Sequence, residues 1–114
     1  MGKPHSVTML GTGLIGLFYT QTLHGRRGLD RVGCVYSRSE EHARAFARRH
    51  GIARWFTDIE QTLAQPDCDV ADICLPNHLH ACTTIAAARA GKHVIIEKPL
   101  CLTLEEADEM IAAC

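Results

Sequence analysis

Apolar and polar positions in this chain fall into short blocks whose period keeps switching between that of a strand and that of a helix. Ser6 to Leu10 is a compact, mostly apolar run of strand length, and Leu14 to His24 follows with helical spacing. After the turn-like Gly25-Arg26-Arg27-Gly28, the run Arg31 to Tyr36 predicts a second strand. A polar-faced helix comes next. Ser39 is its N-cap, Glu40 and Glu41 occupy the first turn, Ala43, Phe46 and Ala47 share one face, Arg48, Arg49 and His50 lie near the end, and Gly51 stops it. Ala53 to Phe56 predicts a short third strand, Asp58 to Ala64 a short helix and Val70 to Leu75 a fourth strand. Asn77 to Ala90 predicts an alanine-rich helix ended by Gly91, and Val94 to Ile96 a fifth strand. Thr103, with Glu106 three residues on, forms a capping box for a last helix that runs to the end. Strands alternating with helices at this spacing specify an α/β fold, a doubly wound parallel sheet with right-handed crossovers and helices on both faces.

Length and charge narrow the classes. At 114 residues the chain is expected to form one domain over 1–114, long enough for a real core. A net charge of −1 from balanced acidic and basic residues gives no broad footprint for nucleic acid or for an anionic membrane. The apolar runs are strand-sized, and the N-terminus lacks the apolar core of a secretory signal, so a cytoplasmic location is expected. Six cysteines are scattered without a C-x-x-C pair. Cys34 and Cys74 in apolar strand-like runs and Cys82 in a helix read as small, reduced, mostly buried thiols. His78 and His80 stand two apart, but no third ligand has a convincing context, so no metal site is expected. His5, His24, His42, His50 and His93 suggest no chemistry.

The strongest chemical signal is Gly11-Thr12-Gly13-Leu14-Ile15-Gly16, placed directly after the first strand. A strand entering a helix around a dinucleotide needs the first glycine for the tight turn, the second so that backbone can approach a pyrophosphate, and the third for close packing. The helix beginning near Leu14 then points its free N–H groups and positive dipole end at the phosphates. A plain glycine-rich loop is the competing reading of these six residues. About 20 residues beyond such a turn, an acidic residue ordinarily holds the adenosine ribose. Here Ser37-Arg38 stands after the second strand. A hydroxyl and a guanidinium favour a 2′-phosphate, so NADP(H) is expected over NAD(H), with NAD(H) still admissible because Arg38 could instead stack on adenine. The alternative is that both residues only cap and solvate the following helix. Arg44 and Arg48 read as a solvated face. Pro76-Asn77 marks where the fourth strand opens at the carboxyl edge of the sheet, the edge at which open α/β folds bind ligands. Glu97-Lys98-Pro99 ends the fifth strand at the same edge. A lysine there is either a solvated strand end or a cation able to orient a reacting hydroxyl or carbonyl.

Taken together, the glycine turn, Tyr36-Ser37-Arg38, Leu75-Pro76-Asn77-His78-Leu79-His80, and Ala90-Gly91-Lys92-His93-Val94 leading to Glu97-Lys98-Pro99 resemble the N-terminal half of the Gfo/Idh/MocA family of NAD(P)-dependent oxidoreductases. The resemblance implies a Rossmann-like domain, about five strands in order 3-2-1-4-5, and hydride transfer at a sugar, polyol or related substrate. It implies that Leu75, Pro76 and Asn77 lie along the cofactor ribose and nicotinamide, that His80 faces the same crevice, and that Glu97 and Lys98 reach the nicotinamide, with Lys98 the catalytic candidate. The family pattern continues with a sixth strand and a larger α+β domain that shapes the substrate pocket. Nothing in 1–114 corresponds to these. The chain is therefore expected to be the cofactor-binding portion of an oxidoreductase, inactive by itself, with a stand-alone dinucleotide-binding or regulatory module as the alternative. A homo-oligomer pairing at the fifth strand is compatible with either.

Overall fold

A computed structural model describes residues 3–25 and 29–114. Strands β1 (Ser6–Leu10), β2 (Arg31–Tyr36), β3 (Arg54–Phe56), β4 (Val70–Ile73) and β5 (His93–Ile96) alternate with helices α1 (Leu14–Leu23), α2 (Glu40–His50), α3 (Ile59–Leu63), α4 (His80–Arg89) and α5 (Leu104–Ala113). The strands form one sheet in the order β3-β2-β1-β4-β5, and every pair is parallel. The alternation of blocks therefore gives the expected doubly wound architecture. Of the expected turn at 25–28, residues 26–28 lie outside the described residues.

Central position explains the composition of β1. Its residues Val7, Thr8, Met9 and Leu10 are all buried because helices cover both faces of the sheet. Side chains alternate across a strand, so neighbouring residues serve different cores. Met9 packs with Val32, Val35, Phe46, Ala47 and Ile52, against Leu17 and Leu23 of α1. Leu10 packs with Tyr36, Leu63, Ala71, Ile73 and Ala87, against Ile59 and Val94.

Helix ends follow the predicted chemistry, with small shifts. Ser39 accepts a hydrogen bond from the His42 N–H, and Gly51 closes α2 in the left-handed region at φ 66°. Asp58 caps α3 through the Gln61 N–H at 2.8 Å. Thr103 caps α5 through the Glu106 N–H, but the Glu106 carboxylate returns to the Leu102 N–H instead of closing the box on Thr103. β4 stops at Ile73, two residues before the predicted end: the Cys74 N–H gives the last bond to Leu10 O, and β1 then turns away at Gly11. The predicted helix over 77–90 divides into a 3-10 turn, Asn77–Leu79, and α4, because Pro76 holds an extended backbone and no side chain caps the start.

The thiol expectation needs correction. All six cysteines are free, yet only Cys34 and Cys68 are buried, while Cys82 and Cys114 are exposed. Cys82 lies on the side of α4 that carries the exposed Arg89, away from the sheet. Cys34 and Cys68 meet with their sulfurs 3.7 Å apart.

The amino edge of the sheet is tied by polar contacts. Arg54 donates to both oxygens of Asp67 and to Gln65. Lys92 donates to the carbonyls of Gln65 and Cys68, and Asp69 accepts from the Ser6 N–H and pairs with the His5 ring. Among the described residues, no helix is long and apolar enough to cross a membrane.

Candidate functional site

Strand order places the site. The chain winds outward from β1 through β2 to β3, then returns to lay β4 on the other side of β1. The loops after β1 and β4 therefore diverge, and a crevice opens at the carboxyl edge between them.

The three glycines of the turn have different reasons to be glycine. Gly11 has φ +122°, and a Cβ there would sit 2.4 Å from the Cys74 carbonyl oxygen, so both backbone and packing require it. A Cβ on Gly16 would lie 2.4 Å from Gly11 O, where the helix presses on its own entry turn. Gly13 is different. Its backbone (φ −78°, ψ −167°) suits any residue, and a Cβ would meet nothing within 4 Å. The fold itself does not require glycine here. No side chain caps α1, whose first internal bond runs from Leu17 N–H to Gly13 O, so the N–H groups of its first turn have no intrahelical partner.

A cleft of about 550 Å³ lies over this turn, lined by Gly11 to Ile15, by Tyr36 to Ser39 at the end of β2, and by Cys74, Leu75 and Pro76. Ser37 is nearly buried. Its oxygen accepts from the Thr12 hydroxyl and from the Ser39 N–H, both at 3.3 Å, which leaves its own proton to donate. Arg38 beside it is exposed. A second recess of about 280 Å³, lined by Asn77, His80, Glu97 and Lys98, shares Ile15, Cys74 and Leu75 with the first. Thirteen of the fourteen proposed site residues thus line two adjoining hollows on one edge, and Gly16 packs beneath the turn.

Two carboxyl groups stand at or behind the second recess: Glu97 lines it, and Asp72 lies behind Cys74. Tyr19 of α1 donates to Glu97 at 2.8 Å, and that bond pushes the phenol up to about 12. Asp72, fully buried in β4, accepts from the Cys74 thiol at 3.5 Å, while its Oδ2 meets no donor among the described residues. Burial pushes this carboxyl up to about 6, with the Glu97 charge adding to the rise. Burial, followed by Asp72, also pushes the Cys74 thiol up. His80 has 1% exposure, and its two ring nitrogens face Pro99 O at 2.7 Å and Leu75 O at 2.9 Å. Lys98 is exposed, and the bond from it to Pro99 is cis.

Several lining residues were not singled out from the sequence. His42 lines the first cleft beside Ser37, and with Arg49, two turns further along α2, it borders a shallow hollow against Thr12 and Gly13. Its place three residues after the N-cap Ser39 could have put it on the side of Ser37. His78, weighed from the sequence only as a metal ligand, borders the same cleft. Tyr19 gave no signal, because its partner Glu97 is 78 residues away. No group of three metal-ligating side chains occurs among the described residues.

Comparison with known proteins agrees with this arrangement. The chain is 46% identical over 82 residues to the 1,5-anhydro-D-fructose reductase of Ensifer adhaerens, covering 72% of this chain and 25% of that protein. It is 40% identical over 83 residues to the NADP(+) scyllo-inositol 2-dehydrogenase of Bacillus subtilis, covering 73% and 25%. The crystal structure of myo-inositol dehydrogenase from Lactobacillus casei, in complex with NAD(H) and myo-inositol, superposes with a TM-score of 0.91 at 27% identity over 97% of this chain and 33% of that one. The chain thus spans about a quarter of the length of the curated relatives it matches. Residues 5–114 match the model of an oxidoreductase family with an NAD-binding Rossmann fold, and with strand order, glycine turn and crevice in agreement, the chain belongs to the Gfo/Idh/MocA family.

Proposed function

We propose that this chain binds NADP(H) in preference to NAD(H) across the two hollows, as the nucleotide-binding part of an oxidoreductase that moves hydride to or from a sugar or polyol. Gly13 carries the reading. It is a glycine that neither its own backbone nor any neighbour requires, set at the uncapped start of α1, where a pyrophosphate would meet helix N–H groups and the positive dipole end. The preference rests on Ser37, whose hydroxyl has a proton left to donate, and on Arg38, with no carboxylate between them to repel a 2′-phosphate.

The substrate class comes from the relatives, whose names include a reductase of an anhydrosugar and dehydrogenases of inositol. When bound, the nicotinamide cofactor supplies or accepts the hydride. The chain's own part is to hold and orient. Ile15 and Leu75 form apolar walls of the second recess, Asn77 offers an amide at its rim, and Lys98 brings a cation to the side where a substrate hydroxyl or carbonyl would sit. There its ammonium would orient the reacting oxygen and hold the proton exchanged with it. Glu97, anchored by Tyr19, stands next to Lys98 in the sequence and lines the same recess.

Calorimetric titration with NADPH and NADH tests the preference. The unaltered chain is expected to bind NADPH more tightly, and Arg38→Asp to abolish or reverse the difference. The charge-assisted bond should contribute roughly 1.5–3 kcal/mol, about ten- to a hundredfold in affinity. Equal affinities in the unaltered chain would remove the argument.

A further inference from the structure

His80 is an unusual residue to bury at the start of a helix. A helix start is normally satisfied by a short hydroxyl or carboxylate side chain, yet α4 has no side-chain cap, and His80, its first residue, turns its ring away from the helix. Both ring nitrogens are used. Nε2 lies 2.9 Å from the carbonyl oxygen of Leu75, in the loop leaving β4, and Nδ1 lies 2.7 Å from that of Pro99, next to Lys98 in the loop leaving β5. Both partners are acceptors, so the ring bonds the two at once only with a proton on each nitrogen, whereas a neutral ring donates to one and sets a lone pair against the other. The ring borders the second recess but has no free polar atom to offer a ligand.

What it joins is informative. Among the described residues, the last backbone bond between β4 and β5 runs from Glu97 N–H to Ile73 O, at a long 3.4 Å. Beyond it the two strands part, one toward Leu75 and Asn77, the other toward Lys98. The imidazole spans that gap. We propose that His80 is a positioning residue, whose ring, donating from both nitrogens, cross-links the two loops and so fixes the width of the nicotinamide recess and the direction from which Lys98 approaches it. This rests on the dinucleotide reading above. Without the link, the two loops must be ordered by the ligand itself, at a cost to binding of the nicotinamide end alone.

The test separates the two ends of the dinucleotide on the full chain. NADPH probes both hollows, and adenosine 2′,5′-bisphosphate only the first. His80→Ala is expected to bind the bisphosphate as the parent does, to bind NADPH about tenfold more weakly, the scale of one lost hydrogen bond, and to lose the gain in nicotinamide fluorescence on binding. His80→Gln, whose amide nitrogen carries two N–H donors for the two carbonyls, should recover most of the NADPH affinity and emission. Equal weakening of both probes in His80→Ala, or no change in either, overturns the proposal, as does failure of both variants to fold by circular dichroism, which would make the residue merely structural. A parent chain that binds neither probe overturns the dinucleotide reading and takes this inference with it.

Discussion

At the scale of single residues, the chain separates glycines and carboxylates that serve the fold from those that serve the site. Gly13→Val should leave the circular dichroism spectrum and the melting temperature close to those of the parent, since nothing stands within 4 Å of the added Cβ. It should also lower dinucleotide affinity beyond detection by calorimetry, because the side chain fills the phosphate approach. A Gly13→Val chain that binds like the parent would move the phosphate site elsewhere. Asp72 makes the opposite case. Its carboxyl stands at about 6 in the folded chain against an ordinary 3.8, mainly through burial. A carboxyl raised by folding contributes its full stability below about pH 4 and loses it as pH climbs through 6, where an ionised group must stay buried. Asp72→Asn should therefore gain on the parent with rising pH, by up to about 3 kcal/mol at pH 8 given roughly 1.4 kcal/mol per unit. Urea unfolding of both proteins at pH 4 and pH 8 measures this, and an equal difference at the two pH values would refute it. The glycine turn was legible from the sequence because its chemistry is local. The burial of Asp72 and the bridge made by His80 were not, since each depends on strands that meet only once the sheet is formed.

At the scale of elements, what the chain announces best is where helices begin and end. Ser39, Gly51 and Thr103 were readable because caps act within four residues of the ends they serve. The end of β4 and the division of the predicted 77–90 helix were less readable: a strand stops where its neighbours stop, and Leu10 and Ile96 are distant in sequence. Ser39 also lies within reach of the site, since its backbone N–H donates to the Ser37 hydroxyl. Ser39→Ala removes the side-chain cap of α2 but keeps that N–H, so it should cost about 1 kcal/mol, roughly 4 °C in the melting temperature, and leave NADPH affinity within twofold. Differential scanning calorimetry with a parallel titration reads both quantities. A large loss of affinity with an unchanged melting temperature would show that the hydroxyl of Ser39, and not only its backbone, takes part in binding.

At the scale of the molecule, one edge of the sheet carries the proposed chemistry and the other carries the polar ties. On the proposed function, these 114 residues offer one wall of a reaction site, with Lys98 open to solvent. Holding a substrate carbon against a nicotinamide in an aligned, dry pocket is worth roughly 7–11 kcal/mol of barrier in favourable cases. No turnover of sugars, polyols or aldehydes is therefore expected from this chain with NADP(H), as followed by absorbance of the reduced nicotinamide. Robust turnover that disappears in Lys98→Ala would show that these residues complete a pocket by themselves, for instance between two copies. The contacts among Arg54, Asp67, Lys92, Asp69 and His5 have a practical consequence. They hold the amino edge together without touching the crevice, and the exposed Lys3 lies just before that edge begins. A surface linker attached there would present the crevice to bulk solution, so that, on the proposed function, an oriented, immobilised chain would sense dinucleotide with its recognition face turned away from the support.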